Sequence, residues 1–127
     1  MSIGAMILSV WVGAMIGFLM WRWVAGGFHK GRRYGNRIAA HLGMEKNLFH
    51  TLVEHGGVPA YPLMYLSSLH QAGLSEHDAA VILAPALRNG LLDLDARFGA
   101  QKQLEEAKPV IAKLLQELES RQERGAA

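Results

Sequence analysis

The chain has 127 residues, a net charge of +2 and no cysteine. One compact domain is expected at this length, and the lack of cysteine excludes a disulfide framework, a thiolate nucleophile and a cysteine-ligated metal centre. The charge is unevenly spread, since residues 1–50 carry 6 basic and 1 acidic side chains whereas residues 51–127 carry 7 and 10. The basic excess therefore belongs to the N-terminal part of the chain.

An apolar run opens the sequence, and no charged side chain precedes Arg22. About 20 apolar residues rising 1.5 Å each match the roughly 30 Å hydrocarbon core of a bilayer. A helix buried in a domain of this size would normally keep one polar side. The run therefore predicts a transmembrane anchor over residues 1–25 rather than a core helix.

The order of the charges predicts the direction of this anchor. Basic residues follow the apolar run, which is the reverse of a cleaved signal peptide. By the positive-inside rule, the N-terminus lies outside and the C-terminal domain lies in the cytoplasm, as in a single-pass protein of a bacterial inner membrane. An organellar membrane is the alternative location. The residues predicted to contact lipid at the membrane interface are Trp21, Arg22, Trp23, Lys30, Arg32, Arg33 and Arg37.

Small residues recur at every fourth position of the apolar run. They form a stripe on which another helix backbone can approach closely, whereas Trp11 lies on the opposite face and is expected to contact lipid. Glycine and alanine are common in membrane helices, so the same spacing also arises without a contact. The residues predicted to pack against a second copy or another membrane protein are Ala5, Ser9, Gly13 and Gly17.

The paired glycines Gly26–Gly27 predict the end of the span, because glycine is a poor helix former. A basic juxtamembrane segment is expected at 26–37, followed by a cytoplasmic helical domain at 38–120. Apolar spacing predicts the first helix of the soluble part over about 32–53, and the sequence "EHGGVPAYP" ends it.

The middle of the chain contains residues that are typical of helix boundaries. A helix is predicted over 62–71, and Ser75 is the expected N-cap of the next one. Pro85 is expected to kink or end that helix. Asn89–Gly90 then predicts its final stop, with a further short helix at 91–98.

The C-terminal segment carries apolar residues on a heptad seam of fewer than three heptads. This length is too short to predict a coiled coil, so packing onto the chain's own helices is the favoured alternative to contact with a protein partner. Residues 121–127 are expected to fray. Since no segment alternates as a strand does, the whole chain is predicted to be all-α. The seam residues that form a candidate partner surface are Leu104, Ile111, Leu114 and Leu118.

No segment carries a convincing catalytic pattern. His41 and Glu45 are four residues apart, as are His50 and Glu54, so each pair shares a helix face and is a candidate for metal binding. Neither pair belongs to a His-Glu-x-x-His or Glu-x-x-His motif. There is no Gly-x-Ser-x-Gly elbow and no glycine-rich phosphate loop with its lysine. The sequence therefore predicts neither an enzyme nor a cofactor, with a metal-dependent enzyme or a metal-binding subunit as the minor alternative.

The segment "LSSLHQAGLSEHDAAVILAPAL" has the helix, short turn and helix of a helix-turn-helix, the fold of a membrane-tethered DNA-binding regulator. Its second helix begins with Glu76 and Asp78 and has no basic residue before Arg88. A helix placed beside phosphates should instead be basic, which argues against a nucleic-acid partner. The sequence thus favours a membrane-anchored adaptor that recruits or stabilises a protein partner at the cytoplasmic membrane face.

Overall fold

The computed structural model describes residues 3–126, except for the side chains at positions 5, 22–25 and 126. The described residues contain no strand and form an all-α fold, as the sequence predicts. The helices of this part of the chain are α1 (Ile3–Leu42), α2 (Lys46–His55), α3 (Pro62–Gln71), α4 (Glu76–Phe98) and α5 (Lys102–Ala126).

Helix α1 runs through 40 residues without a break, which is a length of about 60 Å. The helix end predicted at Gly26–Gly27 is wrong, because α1 continues through both glycines. Gly27 instead allows α3 to pack closely against α1, because a β-carbon at that position would lie 2.9 Å from Sδ of Met64 in α3. The basic segment at 26–37 is accordingly part of α1.

The N-terminal half of α1 is exposed along its length. All described side chains from Ile3 to Trp21 are exposed. The segment is long and apolar enough to cross a membrane. A continuous apolar surface of this extent is rare on a soluble monomer.

The core of the domain forms around α4, which packs against α2, α5 and the C-terminal half of α1. Helix α3 packs chiefly against α1. Because Tyr34 and Ile38 are fully buried, α1 is both the apolar N-terminal helix and a core helix of the domain. The other largest buried side chains are Phe49, Leu52, Leu66, Leu83, Leu87 and Ile111.

The single helix predicted over 32–53 is wrong, because the chain forms two helices there. Gly43 has φ +69° and follows the end of α1 in a left-handed conformation that glycine adopts without steric cost. Glu45 then caps α2, where its carboxylate accepts hydrogen bonds from the N–H groups of Asn47 and Leu48 at 3.1 and 3.0 Å. The apolar spacing continues across the break because both helices face one core.

Helix α3 and the start of α4 follow the sequence closely. The helix predicted over 62–71 is confirmed. Ser75 is confirmed as an N-cap, since its hydroxyl accepts a hydrogen bond from the N–H of Asp78 at 3.2 Å. The turn before α4 is also tied to α1, because the hydroxyl of Tyr34 donates to the carbonyl of Leu74 at 2.6 Å.

Helix α4 is continuous, so the alternative that Pro85 ends the helix and the predicted stop at Asn89–Gly90 are wrong. Gly90 is buried where α4 meets α2, and a β-carbon there would overlap the carbonyl oxygen of Leu52. Gly56 makes the reciprocal close approach to the backbone of α4. The glycine that sequence reasoning took for a stop therefore permits close packing of two helices.

Helix α5 includes most of the segment that is predicted to fray, since it continues to Ala126. Arg121 holds this end, because its Nη2 lies 2.9 Å from Oδ1 of Asp78 in α4 and 3.1 Å from Oε1 of Glu117. Pro109 lies inside α5.

Candidate functional site

The small-residue stripe in the apolar half of α1 is exposed. Among the described residues, no atom other than those of the adjoining helix backbone lies within 4 Å of a β-carbon placed on Gly13 or Gly17. Ser9 is exposed as well. The side chain of Ala5, the fourth residue predicted for this stripe, lies outside the described residues. The stripe can therefore receive a second helix at the short distance that small residues permit.

A second row of glycines follows in the same helix, at Gly27, Gly31 and Gly35. This row receives α3, because the carbonyl oxygen of Leu63 lies where a β-carbon on Gly31 would stand. The imidazole of His50 in α2 also lies where a β-carbon on Gly35 would stand. Sequence reasoning missed this row, although its four-residue spacing was a signal that could have identified it.

The two rows lie on the same side of α1. Each of Ser9, Gly13 and Gly17 is separated by 18 residues from a glycine of the second row, which is five turns of 3.6 residues. The side of α1 that packs on α3 is thus also the side that carries the exposed stripe. A helix bound to the stripe would therefore lie on the same side of α1 as α3. The pairs are Ser9 with Gly27, Gly13 with Gly31, and Gly17 with Gly35.

The tryptophans of the apolar half are exposed. Trp11 and Trp21 have exposed fractions of 65% and 68%, and the ring centroid of Trp21 lies 6.5 Å from that of Phe18. The side chains of Arg22 and Trp23, which are predicted to lie at the membrane interface with Trp21, fall outside the described residues. Large aromatic rings in these positions suit contact with lipid.

The basic side chains of α1 that follow the apolar half are all exposed. All but Arg32 line a groove between α1 and α3. Nε of Arg37 lies 3.7 Å from Oε1 of Glu76, and its guanidinium carbon lies 5.6 Å from the centroid of the Tyr34 ring. The predicted interface residues in this group are Lys30, Arg32, Arg33 and Arg37.

The heptad seam of α5 packs within the chain. The exposed fractions of Leu104, Ile111 and Leu114 are 4%, 2% and 4%. Leu118 is half-buried against the same core. The structure therefore uses the seam for intramolecular packing, and these residues are covered rather than presented to a partner.

A groove of about 450 Å³, lined by both apolar and polar side chains, lies between α2, the end of α4 and the start of α5. Leu48, Leu94 and Leu104 contribute to its walls. Phe98 also lines it and is 66% exposed, and Leu92 on the same helix is 60% exposed. This apolar surface of the domain was not identified from the sequence, because the leucine spacing alone assigns every leucine to the core.

A chain of polar groups joins α1, α4 and α5. Nε2 of His41 lies 3.1 Å from Nδ1 of His77, and Nε2 of His77 lies 2.8 Å from Oε2 of Glu117. The hydrogen bond from His77, together with that from Arg121, lowers the pKa of Glu117. These contacts fasten the C-terminal helix to α4 and α1.

The two predicted Glu–His pairs take part in other interactions. Glu45 caps α2, and Nε2 of His50 donates to Oδ1 of Asn36 at 2.9 Å. Burial, and then the charge of Arg32, lower the pKa of His50 and favour its neutral form. Within the described residues, no group of three or more metal-ligating side chains comes together.

The acidic start of α4 makes contacts inside the chain. Glu76 lies beside Arg37, and the hydrogen bond from Arg121 lowers the pKa of Asp78. A helix that begins with carboxylates presents the wrong charge to a phosphate backbone. This arrangement gives no support to α4 as a DNA-recognition helix.

No family model, no curated protein and no solved structure matches this chain. Functional inference therefore depends on its own residues. The features with the clearest geometry are the exposed apolar half of α1, its small-residue stripe and the junction between α1 and α3.

Proposed function

We propose that this chain is a single-pass membrane-anchored adaptor. Its N-terminus lies outside, its helical domain lies at the cytoplasmic face of a bacterial inner membrane, and it recruits or stabilises another protein there. One observation carries this proposal: α1 is a single helix whose apolar half is exposed and whose other half is part of the domain core.

The direction follows from the basic residues. Lys30, Arg32, Arg33 and Arg37 all lie on the domain side of the apolar half. Lysine and arginine near the end of a span favour the cytoplasmic side. This argument supports a cytoplasmic domain and a short external N-terminus.

The continuity of α1 gives the anchor a second role. A flexible linker would let a domain rotate freely at the membrane, whereas α1 enters the domain as a helix and is fixed there by Gly31 and Tyr34. The orientation of the domain is thereby coupled to the orientation of the span. Such coupling suits a protein that holds a partner in a defined position at the membrane.

The stripe supports association inside the membrane. Its residues lie on the side of α1 that already packs against α3 through glycines. A second membrane helix on Gly13 and Gly17 would continue this packing into the bilayer, driven by close van der Waals contact. The second helix belongs either to another copy or to a different membrane protein, and the groove at Phe98 is the surface for a cytoplasmic partner.

Paired leucine substitutions test the role of the stripe. Since no described atom lies near a β-carbon on Gly13 or Gly17, changing both to leucine leaves the monomer unstrained and blocks close approach of a second helix. We expect fewer proteins to co-purify in a mild detergent, or less self-association in a bacterial membrane reporter assay. The matched control replaces Met15 and Phe18, on the opposite face, with leucine.

Each result has a defined meaning. Loss of a co-purifying protein or of self-association in the Gly13→Leu, Gly17→Leu variant alone supports the adaptor proposal. The proposal is contradicted if both double variants retain the same associated proteins and the same self-association as the unaltered chain. Amounts of protein in the membrane fraction, compared by immunoblot, show that all three forms are present equally.

A further inference from the structure

A basic groove of about 730 Å³ lies between α1 and α3, on the domain side of the apolar half. No acidic side chain lines it. Its volume falls in the range of small-molecule sites in proteins, which is roughly 300–1,000 Å³. The residues that line the groove are Lys30, Arg33, Asn36, Arg37, His70 and Gln71.

The cations of the groove are close together and only partly neutralised. Lys30, Arg33 and Arg37 are spaced by three and four residues, so they share one face of α1. Arg37 is near Glu76, but at 3.7 Å and with 55% of its side chain exposed the pair is weak. Among the described residues, no carboxylate lies within 4 Å of Lys30 or Arg33.

Hydrogen-bond donors add to this charge. Oδ1 of Asn36 is occupied by His50, so the amide nitrogen keeps its two N–H groups. Gln71 supplies a second amide at the end of α3. Guanidinium, ammonium and amide groups around one concave surface suit the oxygen atoms of a phosphate group.

A second cleft of about 300 Å³ leads from the groove towards the apolar half of α1 and shares Lys30 and Gln71 with it. Gly26 and Gly27 form one side, and Met64 contributes an apolar wall. Ser67 and Ser68 provide hydroxyl groups. The combined surface is therefore cationic at one end and less polar at the other, as a phospholipid headgroup and its glycerol require.

The position of the groove also suits a lipid. Only Arg22 interrupts the apolar sequence as far as Phe28, and Lys30 follows two residues later. Headgroups extend over about 5–8 Å beyond the hydrocarbon on each side of a bilayer. The lysine and arginine side chains are long enough to reach headgroups from this level.

We infer that the groove between α1 and α3 binds the phosphate of an anionic phospholipid, with the glycerol in the cleft at Gly26 and Gly27. This inference rests on the proposed membrane anchor. It goes beyond general attraction of basic residues to a membrane surface, because it assigns the contact to one groove and two cations, Lys30 and Arg33. A soluble phosphate compound has the same phosphate chemistry as the headgroup, but it has no lipid glycerol to occupy the cleft.

Thermal unfolding of the full chain tests this site. The chain is purified in a neutral detergent, and its helical circular dichroism is followed on heating with added phosphatidylglycerol, phosphatidylcholine or inorganic phosphate. We expect phosphatidylglycerol to raise Tm by about 4 °C or more, because a ligand that binds the folded state stabilises it. Phosphatidylcholine and inorganic phosphate should each cause a smaller rise.

Two matched variants locate the binding. The Lys30→Gln, Arg33→Gln double variant removes two positive charges from the groove and should lose most of the rise. The Arg88→Gln, Lys113→Gln double variant removes the same charge from other exposed positions and should keep it. An equal rise in both variants overturns the assignment to this groove.

The remaining outcomes distinguish a lipid from a soluble phosphate compound. They also distinguish failure of the groove as a binding site from failure of the membrane anchor. A rise with inorganic phosphate as large as that with phosphatidylglycerol overturns the lipid assignment in favour of a soluble phosphate compound. No rise with phosphatidylglycerol overturns the site itself. Failure of the anchor is detected independently, because the chain would then be released from membranes by alkaline carbonate.

Discussion

The carbonyl oxygen of Leu63 in α3 lies directly against Gly31 in α1, at a position that leaves no room for a β-carbon. Gly31 is buried, and it belongs to the same helix as the exposed apolar segment. This backbone contact thus fixes α3 to the helix that is long and apolar enough to cross a membrane. A substitution at Gly31 therefore tests the contact between α1 and α3.

Replacing Gly31 with alanine should destabilise the domain. Alanine favours a helix by roughly 0.5–1 kcal/mol over glycine, but the overlap with Leu63 forces the two helices apart, and overpacking of this kind costs about 1–3 kcal/mol. We expect a net loss of about 1–2 kcal/mol in the free energy of unfolding, measured by chemical denaturation in detergent. Gly26→Ala is the control, since no described atom lies within 4 Å of its β-carbon, and it should not lower stability. Equal stability of both variants would contradict the close α1–α3 contact.

Removing the hydroxyl of Tyr34 should weaken the tie between α1 and the turn before α4. This hydroxyl donates to Leu74 at 2.6 Å, and burial raises the pKa of Tyr34 so that the donor proton is retained. Tyr34→Phe leaves a partly buried carbonyl without this partner, so we expect a loss of about 1 kcal/mol in unfolding free energy. Tyr61→Phe is a matched control, because Tyr61 is 75% exposed. Tyr34→Phe with the stability of the control would show that the hydrogen bond contributes nothing.

Replacing Pro85 with alanine should stabilise α4. Pro85 lies inside the helix and cannot donate a hydrogen bond to the carbonyl of Val81. Alanine restores that donor and a favourable helix propensity, so a gain of about 1–3 kcal/mol is expected. Thermal unfolding should show a higher midpoint. A lower midpoint would mean that the core is shaped around the proline ring, and that the continuous helix depends on it.

Acid should weaken the domain through His50. Because burial lowers the pKa of His50 from its ordinary 6.5, the unfolded chain binds a proton at this position more readily than the folded chain. The contribution of His50 to stability is therefore constant above pH 6.5 and decreases as the pH falls below it. Unfolding midpoints between pH 7.5 and 5 should decrease less in His50→Gln than in the unaltered chain. Identical pH profiles would rule out His50 as the source.

The sequence predicted helix boundaries that depend on neighbouring residues better than it predicted contacts between helices. The N-cap at Ser75 and the helix over 62–71 depend on neighbouring residues only, and the structure confirms both. Gly90 and Gly26–Gly27 were expected to end helices, yet both lie inside them. Gly90 and Gly27 lie against Leu52 and Met64, which are distant in sequence. Helix propensity depends on neighbouring residues, so it could not predict these packing contacts.

The same reasoning applies to the candidate sites. The stripe and the apolar segment were found from spacing and length, because these patterns lie within one helix. The groove between α1 and α3 combines Arg33 with Gln71, and only the packing of α3 on α1 brings these residues together. For Ile111 and its neighbours on the heptad seam, spacing left a partner surface open beside the favoured packing within the chain, and the structure buries these residues.

Labelling of a single introduced thiol tests whether α1 anchors the chain in a membrane with the domain on the cytoplasmic side. The chain has no cysteine, so an Ala100→Cys variant places a single thiol in the exposed connection between α4 and α5. Bacterial spheroplasts that express this variant are treated with a membrane-impermeant maleimide before or after permeabilisation, and label is quantified in the alkali-washed membrane fraction. We predict labelling of that fraction only after permeabilisation. Labelling of intact spheroplasts, or absence of the chain from the alkali-washed membranes, would contradict it.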